Sequence, residues 1–328
     1  MKRVLLFIAV IGLLLPLSSL AEEAAPSLAR FSAKKFNGRD FSVKKILAWK
    51  KNYTRYLITY KSGGLTISGI MNLPKGKGPF PVIIANHGYI APSVYTVGRG
   101  LKREQDYFAN HGYIVVHPDY RNHGLSSKDP DENARFKLAY DEDVINCIMA
   151  IKNSKKKYFN KNKIGMLGHS RGGGIALNIL VAKPGLVQAC VLYASTSMNA
   201  WDNFERWSLG RGIRRRTPRR TVSTARRKEQ RQRAQEILTQ YGSPETNPKF
   251  WAGMSAETYL NKIKAPIAVF HGTADDSVPI EWSEKLVKAL TKEGRSVVYY
   301  KYPGEKHEFI NRFPDFMKKS VDFFDKHL

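Results

Sequence analysis

The chain has 328 residues, 42% of them hydrophobic, with 54 Lys and Arg against 28 Asp and Glu, and a formal charge of +26. That length suffices for one large α/β domain with a sizeable core. Beyond the N-terminus no apolar stretch is long enough to span a bilayer, and no Cys/His cluster has metal-site spacing, so a further membrane span and a zinc-type domain are excluded.

Residues 1–21, "MKRVLLFIAVIGLLLPLSSLA", read as a secretory signal peptide. Lys2 and Arg3 open it, Val4 to Leu15 is an apolar run short of a membrane span, and Ser19 and Ala21 suit cleavage after Ala21. Its loss leaves a charge of +24 and an exported chain, periplasmic or extracellular. Residues 22–50 are polar, basic and without clear periodicity, and read as a lead-in. "YTRYLITYKSGGLTISGIMNLP" alternates on either side of Gly63-Gly64 and predicts a hairpin. "FPVIIANHG" predicts a buried strand, "REQDYFANHG" a short helix, and "YIVVHPDYRNHG" a second buried strand with its loop. "RFKLAYDEDVINCIMAIKNSKK" predicts a helix, with Val144, Ile145, Ile148, Met149 and Ile151 at helical spacing. "KIGMLG" and "ACVLYAS" predict two more buried strands, with the helix "GIALNILVAKPG" between them. After an insertion come the strand "APIAVFHG", the helix "EWSEKLVKALTKEG", the strand "SVVYYKYPG" and a helix from about Pro314. Strands apolar throughout and alternating with helices imply a mostly parallel sheet covered on both faces, with no internal repeats. Cys147 falls in a helical pattern and Cys190 on an apolar strand. Export would permit a disulfide, but both read as small buried hydrophobes.

The stretch "GMLGHSRGGG" places Ser170 at a strand-to-helix turn, with Gly168 and Gly172 two residues to either side. A phosphate loop would need Gly-Lys-Ser/Thr after its glycines, and a dinucleotide fingerprint would need glycine where Leu177 stands. Gly-x-Ser-x-Gly in this context is a nucleophile elbow, whose serine is a weak nucleophile until a carboxylate-oriented base takes its proton. In such an architecture the chain order is Ser, then Asp or Glu, then His, each just past the carboxyl end of a strand. "HGTADDSVP" offers Asp275 and Asp276, and "YPGEKHEF" offers His307. His327, the penultimate residue, is the only other histidine after the acid. Such a base works once it has lost its proton, so turnover is expected to rise with pH.

Together these motifs resemble the α/β-hydrolase superfamily, in particular the catalytic domain of the prolyl oligopeptidase family and its dienelactone-hydrolase-like relatives. The resemblance rests on "GHSRGG", "HGTADDSVP", "YPGEKHEF", "NHGY" and "DYRNHGLS" and covers roughly residues 50 to 328. It implies an α/β-hydrolase fold, a mostly parallel central sheet with helices on both faces and an inserted lid, with residues 51–328 as the catalytic domain. It implies Ser170 as nucleophile, His307 as base, and Asp275 as the acid in preference to Asp276, because the family spacing runs His-Gly-x-x-Asp-x-x-Val. The oxyanion hole would use the backbone N–H groups of Tyr89 and Arg171. No metal or cofactor is implied. His87 and His271 read as residues that orient strand-end loops, His169 as pointing away from the nucleophile, and Arg121 with Asp119 as an ion pair or loop contact.

The lid insertion, residues 198–262, divides in two. Asn203 to Gln235 is strongly basic and uses arginine where the rest of the chain favours lysine. The Arg206–Arg233 block could hold an anionic surface or polymer, or be a solvated face; no dedicated nucleic-acid site is expected. The aromatic residues Trp201, Phe204, Trp207, Phe250 and Trp251 could wall a substrate pocket or simply hold the lid down. The resemblance implies a serine-type peptidase on short peptides. With only about 30 residues ahead of the domain there is no room for the family's N-terminal propeller, which keeps a carboxylesterase acting on small esters in play. A non-catalytic protein bound to anionic surfaces is the third reading. Nothing in the sequence sets an oligomeric state.

Overall fold

The computed structural model describes residues 25–130, 138–210 and 224–328. The signal segment and the arginines from Arg211 to Arg220 lie outside the described residues. Nine strands form one sheet: β1 (Arg39–Trp49), β2 (Tyr53–Ser62), β3 (Leu65–Pro74), β4 (Phe80–Asn86), β5 (Ile114–Pro118), β6 (Phe159–His169), β7 (Ala189–Tyr193), β8 (Ile267–Gly272) and β9 (Val297–Tyr302). Their order is β1-β2-β3-β5-β4-β6-β7-β8-β9, antiparallel from β1 to β5 and parallel from there on. The β2–β3 hairpin closes over Gly63-Gly64, with Ser62 opposite Leu65 and Gly63 at φ +60, a conformation that suits glycine.

The parallel strands are apolar throughout because both of their faces are covered. Val82 and Ile84 of β4 enter one core cluster while Ile83 and Ala85 enter the other. The first cluster takes in α1 (Leu28–Ala33), α3 (Leu138–Asn153), α4 (Arg171–Ala182) and α8 (Ile280–Lys292); the second takes in α2 (Lys102–Asn110) and α9 (Phe313–His327). The insertion, residues 198–262, contributes α5 (Ala200–Trp207), α6 (Thr224–Tyr241), α7 (Pro248–Met254) and a 3-10 stretch, Ala256–Lys262. Cys147 and Cys190 are both buried and unbonded. No described helix is long and apolar enough to cross a membrane.

The expected lead-in, residues 22–50, is corrected: its second half is β1, paired with β2 from Arg39↔Lys61 to Trp49↔Thr54. Its periodicity is absent because β1 is an edge strand with three register breaks, exposed from Lys44 to Leu47. Helix α1 precedes it, started by the Ser27 side chain, which accepts from the Arg30 N–H.

Candidate active site

Parallel strands β6, β8 and β9 end at the same edge of the sheet, β7 lying between β6 and β8, and each is followed by one of the expected residues. Ser170 sits between β6 and α4 with φ 55 and ψ −123, a backbone that a residue with a side chain rarely adopts. Close approach of strand and helix forces it. A Cβ at Gly172 would meet Asn86 O at 2.0 Å, and one at Gly168 would meet Gly172 O at 2.5 Å. The Ser170 N–H donates to Tyr193 O at 3.0 Å, and Ser170 O accepts from Gly173 N–H at 2.9 Å and Thr196 N–H at 3.1 Å, so the turn is held from both sides.

Asp275 and His307 meet. Asp275 Oδ2 accepts from His307 Nδ1 at 2.8 Å, and the carboxylate is out of contact with solvent. A carboxylate can only accept, so Nδ1 carries the proton and Nε2 is left as the basic nitrogen. Oδ1 of Asp275 accepts from the N–H groups of Ser277 (2.8 Å) and Val278 (2.9 Å). Asp276 is exposed and, among the described residues, reaches only the Ser277 hydroxyl.

Two histidines brace this pair. His271, fully buried, places Nε2 at 3.0 Å from Asp275 Oδ2 and 3.2 Å from Val278 O. Both are acceptors, so Nε2 is protonated and the Ser283 hydroxyl, at 2.7 Å, donates to Nδ1. His169 packs onto His307. Its Nε2–H donates to His307 O at 3.1 Å and the two rings lie 4.7 Å apart. Burial, with the His307 ring beside it, lowers the His169 pKa to about 3, so it stays neutral. The loop carrying His307 is pinned further. Phe309 N–H donates to the Tyr193 hydroxyl, and Glu305 accepts from the N–H groups of Ile310 and Arg312. Nothing in the sequence marks Glu305 or Tyr193, and His169 stands out there only as a neighbour of Ser170.

Burial alone would raise the Asp275 carboxyl, but hydrogen bonds from His271, His307 and the Val278 N–H outweigh it and hold the group well below the ordinary carboxylate range. The folded chain therefore binds this proton more weakly than the unfolded chain. Asp275 adds stability above the unfolded value, about 3.9 for aspartate, and loses that share as pH falls below it. Urea melts at about pH 5 and pH 3 should show a steeper loss of stability in the wild type than in Asp275→Asn. Equal losses would contradict this.

A Cβ at Gly88 would lie 3.1 Å from Ser170 Cβ, so the loop after β4 runs against the elbow and carries Tyr89 beside it. Arg171 opens α4, where helix N–H groups and the helix dipole favour negative charge. Its guanidinium lies 4.1 Å from the Tyr140 ring and 5.9 Å from that of Tyr89.

Three expectations are corrected. Arg121 does not pair with Asp119. Its guanidinium binds Asp143 and Asp129 and lies 3.5 Å from Glu142, while Asp119 accepts from Ser68, Tyr95 and the Gly98 N–H. Phe204 and Trp251 are not pocket walls. They are 4% and 3% exposed and pack with Trp201 and Phe250 as the interior of the insertion, since aromatic side chains on facing sides of short helices bury one another. Trp201 and Trp207 are half-buried, Trp201 against this cluster and Trp207 beside the Arg206 guanidinium. Arg206 does not belong to a solvated basic face: it is 9% exposed and turned inward. Among the described residues, no group of three or more His, Cys, Asp or Glu could hold a metal ion.

A family model described as serine aminopeptidase, S33, matches residues 79–312. The chain belongs to that family. It is an enzyme of the serine hydrolase kind, with an α/β-hydrolase fold. The uncharacterized peptidase YtmA of Bacillus subtilis (strain 168) is 23% identical over 271 residues, 80% of this chain and 93% of the relative. Among solved structures, acetyl xylan esterase 1 from Thermoanaerobacterium sp. JW/SL YS485 superposes with a TM-score of 0.62 at 17% identity, covering 95% of this chain and 98% of that one. The Pyrococcus horikoshii acylaminoacyl peptidase gives 0.61 at 19% identity over 84% of this chain, which spans 41% of the length of that peptidase. At such identities the structural likeness establishes the fold and not the substrate.

Proposed function

We propose that this S33-family hydrolase is an exported serine-type peptidase that cleaves short peptides through an acyl-enzyme on Ser170. The observation that carries the reading is the buried Asp275 carboxylate bonded to His307 Nδ1, on loops that flank a strained serine. His307 Nε2 takes the Ser170 proton as Oγ attacks the scissile carbonyl. The N–H groups of Tyr89 and Arg171 stabilise the oxyanion. Collapse breaks the C–N bond, and His307 passes its proton to the leaving amine. Water then adds to the acyl-enzyme with His307 as base, the C–Oγ bond breaks, and Ser170 recovers its proton. Peptide cleavage is favoured by the S33 match and by the peptidase relative matched along most of its length.

A carboxylesterase is the second reading, favoured by the acetyl xylan esterase chain that this one covers almost end to end. A turnover screen of p-nitrophenyl esters beside aminoacyl- and prolyl-anilides separates them. Peptidase function predicts anilide turnover; ester turnover alone would replace it with the esterase. Export predicts a mature N-terminus at Glu22, read by mass spectrometry of the chain from the extracytoplasmic fraction, and an intact Met1 there would refute it.

We also propose that the arginine block serves partners and not chemistry. Arg214, Arg215, Arg216, Arg219 and Arg220 lie outside the described residues, and Arg206 is excluded from the block by its burial. Changing those five to Gln should keep turnover of a small neutral ester within several-fold. Binding to anionic vesicles should fall, and in the wild type should already be weak at 1 M salt, where screening shortens the reach of charge to about 3 Å. A collapse of neutral-ester turnover would show that the block acts on the reaction instead.

A further inference from the structure

Among the described arginines of the basic insertion, Arg206 is the one turned into the body of the protein, while Arg231 and Arg233 are exposed. It lies in the last turn of α5, the first helix of the lid. Its Nε and Nη2 donate to Ser277 O at 3.0 and 2.7 Å, a forked grip on one carbonyl. The guanidinium is flanked by the rings of Trp207, at 5.3 Å, and of Trp282 on α8, at 5.7 Å. A guanidinium cannot shed its charge, so a buried one is tolerated only with good acceptors, and flat aromatic faces add to its hold.

The carbonyl it grips belongs to a particular peptide group. Ser277 C=O and Val278 N–H are the two ends of one amide plane, and Val278 N–H donates to Asp275 Oδ1 at 2.9 Å. The chain of contacts therefore runs from the Arg206 cation, through a single peptide, to the carboxylate that orients His307. A cation on the carbonyl oxygen polarises the amide and strengthens what its N–H donates, since hydrogen bonds in series reinforce one another away from water. The same grip fixes the loop from Asp275 to Val278, whose Ser277 N–H holds the same carboxylate oxygen.

We propose that Arg206 is a positioning residue for Asp275, so that the insertion holds the triad's acid in place. This rests on the Ser170–His307–Asp275 reading above. It implies that the lid is coupled to turnover: anything that shifts α5 shifts the acid. It also gives Arg206 a different role from Arg231 and Arg233, whose side chains are exposed.

The test compares wild type with R206Q and R206K on one small neutral ester, measuring kcat and KM across pH and the melting temperature. R206Q should lose ~10-fold or more in kcat with KM changed far less, because a weaker hold on the acid is felt in the transition state and not in substrate binding. Asp275, less stabilised as an anion, should draw the His307 proton more strongly, so the rise of activity with pH moves to higher pH. R206K keeps a charge and a donor near Ser277 O and should regain much of kcat and the wild-type pH limb. It also serves as the folded variant if Gln is not tolerated. Wild-type kcat and pH dependence in both variants would overturn the proposal, as would a change confined to melting temperature or KM, which would assign packing alone. Labelling of wild-type Ser170 by a fluorophosphonate, measured alongside, keeps the outcomes apart. If Ser170 is not labelled the triad reading has failed; if it is labelled and R206Q is unaffected, only the role of Arg206 has.

Discussion

Ser170→Ala is expected to abolish turnover and leave the fold intact. The hydroxyl is absent from the contacts that hold the elbow, which run through the backbone: Ser170 N–H to Tyr193 O, and Ser170 O from Gly173 and Thr196. Alanine must still adopt φ 55, but serine already bears that strain and the surrounding glycines set it. Loss of a triad nucleophile costs roughly 10⁴-fold or more in kcat, because the base then has nothing to activate. A melting temperature close to wild type with activity at background is the expected pair of results. Full turnover in the variant would remove Ser170 from the chemistry.

Asp275→Asn should be nearly as severe, at about 10⁴-fold, and Asp276→Asn should stay within several-fold of wild type. The structure gives the physical reason. An Asn at 275 can present an NH₂ to His307 Nδ1 and so favour the wrong tautomer, with Nε2 protonated and unable to take a proton. It would also leave the His271 and Val278 donors with a weaker acceptor. Asp276 faces solvent and its loss removes one contact with the Ser277 hydroxyl. The order of the two effects is measured by kcat on the same substrate, and its reversal would assign the acid to Asp276.

Much of the site could be read in the sequence because its parts are local. A strand that is buried on both faces must be apolar throughout, as Val82 to Ala85 are, and a strained serine needs small neighbours, as at Gly168 and Gly172. Asp275 and His307 follow strand ends directly, so their order and positions carry over to space. What escaped was long-range or atypical. β1 carries no alternation because an edge strand with broken register has no single buried face. Arg121 lies two residues from Asp119, yet its partners come from α3 and the Asp129 loop, which sequence proximity does not foresee. Phe204, Phe250 and Trp251 come together from two helices of the insertion and bury one another, which sequence order does not foresee. Arg206 looked like one arginine among many, and only the fold shows that Ser277 lies across from it, 71 residues on.

The most direct measurement is reaction of the purified wild-type chain with a fluorophosphonate probe, followed by peptide mapping. An activated serine attacks the phosphorus and displaces fluoride, so one adduct is expected, on the peptide containing Ser170, and none in Ser170→Ala. An adduct on another residue, or none on a folded wild-type chain, would contradict it.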